Sequence, residues 1–263
     1  MSRAIRMLVA AAAVAGVAVS GLMTAGAASA TLDGPGTHGP GSGYLDPQTG
    51  SHAIGLAAAA PASTSAFAGY QTAVPAGSAT VATATFTVPT LTCTTADRAI
   101  APAVAVPVNN YKTASAVYVV TGCVNGQAGY YAELIINGKG AGHSTTPLSA
   151  GDVITLTTKV STNRTRVQIT DVTTGVTQKT IGAGARASAA FIGNTPLFTS
   201  SGALLHVPDF GKLAFKNCLV DGKTLASRHP QGIQRVNSIR RLQISTGAFW
   251  PGGTAFTTRF VHS

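Results

Sequence analysis

The sequence predicts an all-β fold, an antiparallel β-sandwich of two large sheets. Only 10% of its 263 residues are charged, and Thr, Ala, Val, Gly and Ser dominate, a composition suited to pleated strands. Short runs of alternating or continuous apolar residues are separated by Gly, Pro and Asn turns. No window carries the i, i+3, i+4 apolar spacing of a long helix.

Ordered sequence is expected from about Phe67. Thr80–Val88 (TVATATFTV) is a short-period β run that Pro89 stops. Val117–Val120 is a compact apolar strand. Tyr130–Ile136 is another, and the Asn137-Gly138 that follows is a strong hairpin signal. Val153–Val160 alternates, with Ile154, Leu156, Thr158 and Val160 on one face. Arg164–Val172 alternates too, and Thr173-Thr174-Gly175 turns the chain back into Val176–Ile181. Further strands are predicted at Ala189–Ile192, Leu213–Phe215, Leu242–Ser245 and Ala255–Val261. With roughly ten strands or more in one unit, two large packed sheets fit better than an immunoglobulin-sized domain.

The chain start predicts export. Arg3 and Arg6 precede the apolar run Met7–Val19, and Ala28-Ser29-Ala30 is a small-residue cleavage site, so residues 1–30 read as a signal peptide. A membrane anchor fits less well, because Gly16, Ser20, Gly21 and Gly26 dilute the run and no basic stop-transfer cluster follows. Residues 31–65 are rich in Gly, Pro, Ala and Ser and read as a linker or pro-segment, leaving 66–263 as the domain. The expected location is extracellular, with no membrane contact after cleavage. Of three cysteines, two are expected to pair, with Cys93–Cys123 favoured and Cys218 left over, buried and inert.

The formal charge is +10. Between Lys212 and Arg241 seven basic residues face one acid, Asp221. That segment reads either as a solvated face or as a surface for an anionic polymer such as a cell-wall component. No aromatic residues interleave with the charges, so no specific nucleic-acid binding is expected.

A series of motifs then appears in order. Phe67-Ala68-Gly69-Tyr70 parallels a Trp-Ala-Gly-Tyr opening. Ala84-Thr85-Phe86-Thr87-Val88-Pro89 parallels a strand end Trp-Thr-Val-Pro, with Phe86 for Trp. Thr121-Gly122 falls where Gln-Thr-Gly would stand, and Tyr130-Tyr131-Ala132 matches Tyr-x-Ala. Leu148-Ser149-Ala150-Gly151-Asp152-Val153-Ile154 is close to Ser-Ala-Gly-Asp-x-Ile. Val207-Pro208-Asp209-Phe210-Gly211 and Phe215-Lys216-Asn217 follow in place. From Phe67 to its C-terminus the chain thus resembles the eqolisins, the secreted glutamic peptidases. The resemblance implies a two-sheet sandwich with a substrate groove, and endopeptidase activity through a Gln/Glu pair.

The catalytic positions depart from that pattern. Val120 stands where the family has its Gln. The Ala-Glu-Trp-x-x-Glu segment aligns with Ala189–Asn194, putting Ala190 and Asn194 at its carboxylates, and the groove Trp is replaced near Val104. Valine and alanine side chains neither donate, accept nor titrate. The only glutamate is Glu133. The family has a Glu two residues further on, at Ile135, and a two-residue offset keeps the face of a strand. Glu133 is therefore the candidate catalytic carboxylate and Gln127 its candidate neutral partner; the plainer reading of Glu133 is a rim carboxylate paired with Lys or Arg. Phe67, Tyr130 and Tyr131 are the candidate binding residues.

Other chemistries lack their patterns. There is no G-x-S-x-G and no H-E-x-x-H. Six scattered histidines, among them His143, His206 and His229, predict no metal site, and no cofactor is expected. Two functions remain: a noncatalytic groove for an extended peptide or polysaccharide, and an endopeptidase using Glu133. Adhesion to anionic polymers is a third.

Overall fold

The computed structural model describes residues 61–262 apart from 65–66, 76, 95–97, 125 and 198–203. The signal peptide and nearly all of the low-complexity stretch lie outside the described residues. Strands β1 (Ala62–Thr64) and β2 (Ala68–Ala73) come first, so β1 lies a few residues before the expected onset at Phe67. Then follow β3 (Thr80–Thr87), β4 (Arg98–Val108), β5 (Thr113–Val124), β6 (Gln127–Ile136) and β7 (Lys139–His143). Next are β8 (Val153–Val160), β9 (Arg164–Asp171), β10 (Thr177–Ala183), β11 (Ala189–Thr195) and β12 (Lys212–Val220). Last come β13 (Lys223–Thr224), a 3₁₀ turn (Leu225–Arg228), β14 (Gln231–Val236), β15 (Leu242–Thr246) and β16 (Phe256–Phe260).

Two antiparallel sheets result. The larger is ordered β7-β6-β5-β4-β11-β2-β14-β15-β16, and the smaller β10-β9-β8-β3. β12 belongs to both: Lys212–Phe215 pair with β16 and the residues from Lys216 on with β3, with a register shift between Lys216 and Leu219. β1 adds parallel to β14. β8 packs across β4 and β5, and β9 across β5 and β6, so the sheets face each other as a sandwich.

The alternation of β8 decides which side faces in: Ile154, Leu156, Thr158 and Val160 are fully buried, while Thr155, Thr157 and Lys159 are not. The inter-sheet core joins them to Val104, Val117, Leu134, Ile192 and a cluster of rings. Phe215 is the hub, 5.7 Å from Phe86 and 5.1 Å from Phe256 between centroids. A second apolar layer lies on the outer face of the larger sheet, where Phe67, Tyr118, Val120, Ile135, Phe191 and Ile233 are all buried. The Asn137-Gly138 turn has φ of 51° and 77°, the backbone of the expected tight hairpin.

Asp171 fixes the turn between β9 and β10. Its carboxylate accepts from the Thr173 and Thr174 amides and from the Thr174 hydroxyl. Burial works to raise its pKa, but these bonds outweigh it and hold the carboxyl below its ordinary value. The stability it contributes is therefore present at neutral pH and is lost as pH falls into the acid range.

Gly69 and Gly193 bring β2 and β11 together. They stand opposite each other at φ 150° and 157°, and a Cβ on either would lie 2.3 Å from a carbonyl oxygen of the facing strand. Gly193→Ala is expected to cost about 3 kcal/mol or more, read from the urea midpoint. A loss below about 1 kcal/mol would contradict this close approach.

Candidate functional site

The outer face of the larger sheet gathers most of the residues singled out from the sequence. Pairing of β5 with β6 puts Tyr118 opposite Glu133 and Val120 opposite Tyr131. β4 brings Ala103 beside Tyr118, and β11 brings Phe191 beside Ala105. Phe67, just before β2, meets Phe191 edge-on at 5.4 Å. Small residues at Ala101, Ala103, Ala105 and Ala116 floor the layer between these rings.

Glu133 is at the centre of this layer, not at its rim: it is 2% exposed, which corrects the reading of a rim carboxylate. The Tyr118 hydroxyl donates to Glu133 Oε2. Burial first, and then the Glu133 charge, push the Tyr118 phenol well above its ordinary pKa. The same two causes raise Tyr131. Both phenols therefore remain neutral in the folded protein, Tyr118 as the donor to Glu133. Tyr131 is the half-buried member, through which the layer meets solvent.

Two other candidates lie elsewhere. Gln127 is exposed at the start of β6, opposite Val124. It shares the face of Glu133 but stands six residues away, about 20 Å along an extended strand, and so does not reach it. Tyr130 points to the opposite side, packs against the inter-sheet core and reaches the Leu91 backbone. Adjacent residues of a strand cannot line one face, so Tyr130 and Tyr131 separate.

The aligned catalytic positions divide the same way. Val120 lies in the outer layer diagonal to Glu133. Ala190 belongs to the inter-sheet core, and Asn194, also buried, donates from Nδ2 to Thr258 Oγ1 at 2.7 Å. β11 reads Ala-Ala-Phe-Ile-Gly-Asn-Thr, so neither of its faces presents a carboxylate. The buried amide on the Glu133 face, Gln71, stands in β2, four strands away in the sheet order. A general base needs a water within reach and a fixed donor opposite; beside Glu133 the residue in place for the donor is Val120.

Cys93 and Cys123 form the expected disulfide. Cys218 is buried, and burial pushes its thiol up to about 12, which keeps it unreactive. His143 ends β7, His206 bridges to Arg98 and His229 follows the 3₁₀ turn. Among the described residues no three His, Cys, Asp or Glu gather as metal ligands. The basic segment Lys212–Arg241 does not form one face either. Arg228 pairs with Asp221 at 3.0 Å, and Arg235 is buried, bonded to Gln243 Oε1 and the Leu205 carbonyl. Burial lowers the Arg235 pKa to about 10. The residue that the sequence reading missed is Tyr118; its signal was the two-residue spacing to Val120 on an apolar strand.

A model of the peptidase A4 family matches residues 65–257. No curated protein matches the chain by sequence. Among solved structures, scytalido-glutamic peptidase bound to a transition-state analogue inhibitor superposes with a TM-score of 0.58 at 16% identity, covering 74% of this chain and 100% of that one. SCP-B, an eqolisin-family peptidase in complex with the tripeptide Ala-Ile-His, gives 0.56 at 18% identity over the same shares. Aspergilloglutamic peptidase from Aspergillus niger gives 0.50 at 18%, over 62% and 99%. At such identities the likeness shows the fold.

The raised phenols set the alkaline limit of the fold. Stability carried by neutral Tyr118 and Tyr131 is complete below about pH 10, the ordinary phenol value, and is lost as pH rises beyond it. In an absorbance titration at alkaline pH, these two phenols are expected to ionise only with unfolding. Glu133→Gln removes the charge that raises both and moves their ionisation to lower pH. A folded protein in which every tyrosine titrates together near pH 10 would contradict the site.

Proposed function

The chain belongs to the peptidase A4 family, and on that premise we propose that it is a secreted member that binds an extended peptide or polysaccharide without cutting it. The ligand lies on the outer face of the larger sheet, entering beside Tyr131. One observation carries the noncatalytic reading: no carboxylate stands anywhere on β11, and Val120 occupies the position where the family resemblance puts the Gln. Glu133 is already engaged by Tyr118 in an apolar layer. Export is supported by the signal-like first 30 residues and by the Cys93–Cys123 disulfide, a bond that persists in oxidising compartments.

A second reading has its own support. Glu133 is on the same face as Val120 and diagonal to it across one strand pair, a separation long side chains can bridge. Endopeptidase activity from a displaced carboxylate would use Glu133 as the general base next to the Gln position, with no donor from Val120 itself.

Hydrolysis of an unfolded protein substrate by the purified mature chain, followed from about pH 2 to 7 with Glu133→Ala alongside, separates the two. The noncatalytic reading predicts no cleavage at any pH by a protein shown to be folded. Cleavage that falls at least about a hundredfold in Glu133→Ala would replace it with the peptidase reading.

A further inference from the structure

The smaller sheet presents a surface that the peptidase-like face does not use. Its outward residues form rows that run from strand to strand. Thr85, Thr155, Thr170 and Thr177 make one row. Thr83, Thr157, Gln168 and Lys179 make the next, and Val81, Lys159, Arg166 and Ile181 the third. Neighbouring threonine hydroxyls bond each other at 2.9–3.0 Å, as in Thr85–Thr155, Thr83–Thr157 and Thr170–Thr177. Each still has lone pairs to offer.

Three cations converge at one end. Lys159, Arg164 and Arg166, with Ser161 and Asn163, line an open cavity of about 270 Å³. The turn between β8 and β9 that carries them is tied by Ser161 Oγ to the Arg164 carbonyl at 2.8 Å and by the Ala185 amide to the Ser161 carbonyl at 2.9 Å. Arg166 Nε has no hydrogen-bond acceptor. The outward positions of these strands carry no carboxylate; the one acid among them, Asp171, is buried and faces inward.

Lys159 and Arg166 stand directly opposite each other on β8 and β9. Like charges in that register destabilise a sheet. Protection of a sheet edge does not explain them, since β10 is the edge and both strands are interior. A pair that costs stability and has no counter-charge among the described outward residues of this sheet is accounted for by an anion from outside.

We propose that the outer face of the smaller sheet binds an anionic polysaccharide, its acidic groups on Lys159, Arg164 and Arg166 and its hydroxyls along the threonine rows. Guanidinium groups hold carboxylate, sulfate or phosphate through two parallel bonds. The described outward positions of β3, β8, β9 and β10 include no aromatic residue for stacking nucleobases, which favours a glycan over a nucleic acid.

The test is binding of the full mature protein to immobilised polygalacturonate and dextran sulfate, with neutral dextran and duplex DNA for comparison. The double variant Lys159→Ala/Arg166→Ala is expected to bind the anionic glycans at least tenfold more weakly. Its thermal midpoint should be unchanged or higher, because a like-charge pair has been removed; that readout separates lost binding from lost folding. Wild-type binding should also weaken steeply with salt. Unchanged binding by the variant, equal binding to neutral dextran, or binding too weak to measure at low salt would overturn the proposal. Tighter binding to the DNA than to either glycan would assign the surface to nucleic acid instead.

Discussion

One strand, β12, holds the molecule together by belonging to both sheets. Its first half pairs with β16 and its second, from Lys216, with β3; just past the change Asn217, at φ 49°, lies in the register shift of the second half. Asparagine tolerates that left-handed backbone better than most residues. Phe215, the last residue before the change, fills the corner between Phe86 of one sheet and Phe256 of the other. Everything else follows from this joint: it sets which faces look inward, and so which side of β5, β6 and β11 is left for a site.

Given that joint, the outer face of the larger sheet is a fixed register of side chains. Tyr118, Glu133, Val120 and Tyr131 sit on two adjacent rows of one strand pair, and the near-contact of Gly69 with Gly193 keeps the floor continuous toward Phe67. The chemistry then depends on residue type alone. A carboxylate is present and held, but the neighbouring position is valine and the crossing strand has no acid. The fold of the family is thus retained, and on the reading proposed above its reactive pair has been replaced by packing, a separation of fold from function that a sheet surface permits readily.

Where one face of a strand is wet, its pattern was legible in the sequence: Val153–Val160 and Arg164–Asp171 alternate in composition and in burial alike. Where both faces are buried, alternation was lost and only continuous apolar runs such as Val117–Val120 could mark a strand. β4 has all but its first residue buried and contains Pro102 and Pro107, and proline argues against a central strand. β7 and β14 were missed for a related reason, their Gly and polar residues giving no alternation. Glu133 was legible as the lone glutamate on a strand-like run, whereas Tyr118 was hidden in an apolar run with no charge to mark it. Charge was weighed over the long segment Lys212–Arg241, which passed over Lys159, Arg164 and Arg166, the residues that the short turn between β8 and β9 folds onto one cavity.

The central claim is that Glu133 serves the packing of the outer layer through Tyr118 and not a reaction. A double-mutant cycle of Glu133→Gln and Tyr118→Phe, followed by urea unfolding, tests it most directly. The account predicts that each single change destabilises the protein and that the two are coupled by about 1 kcal/mol or more. Stabilisation by Glu133→Gln, with no coupling to Tyr118, would contradict it, because relief on removal is the behaviour of a residue kept for function at the expense of the fold.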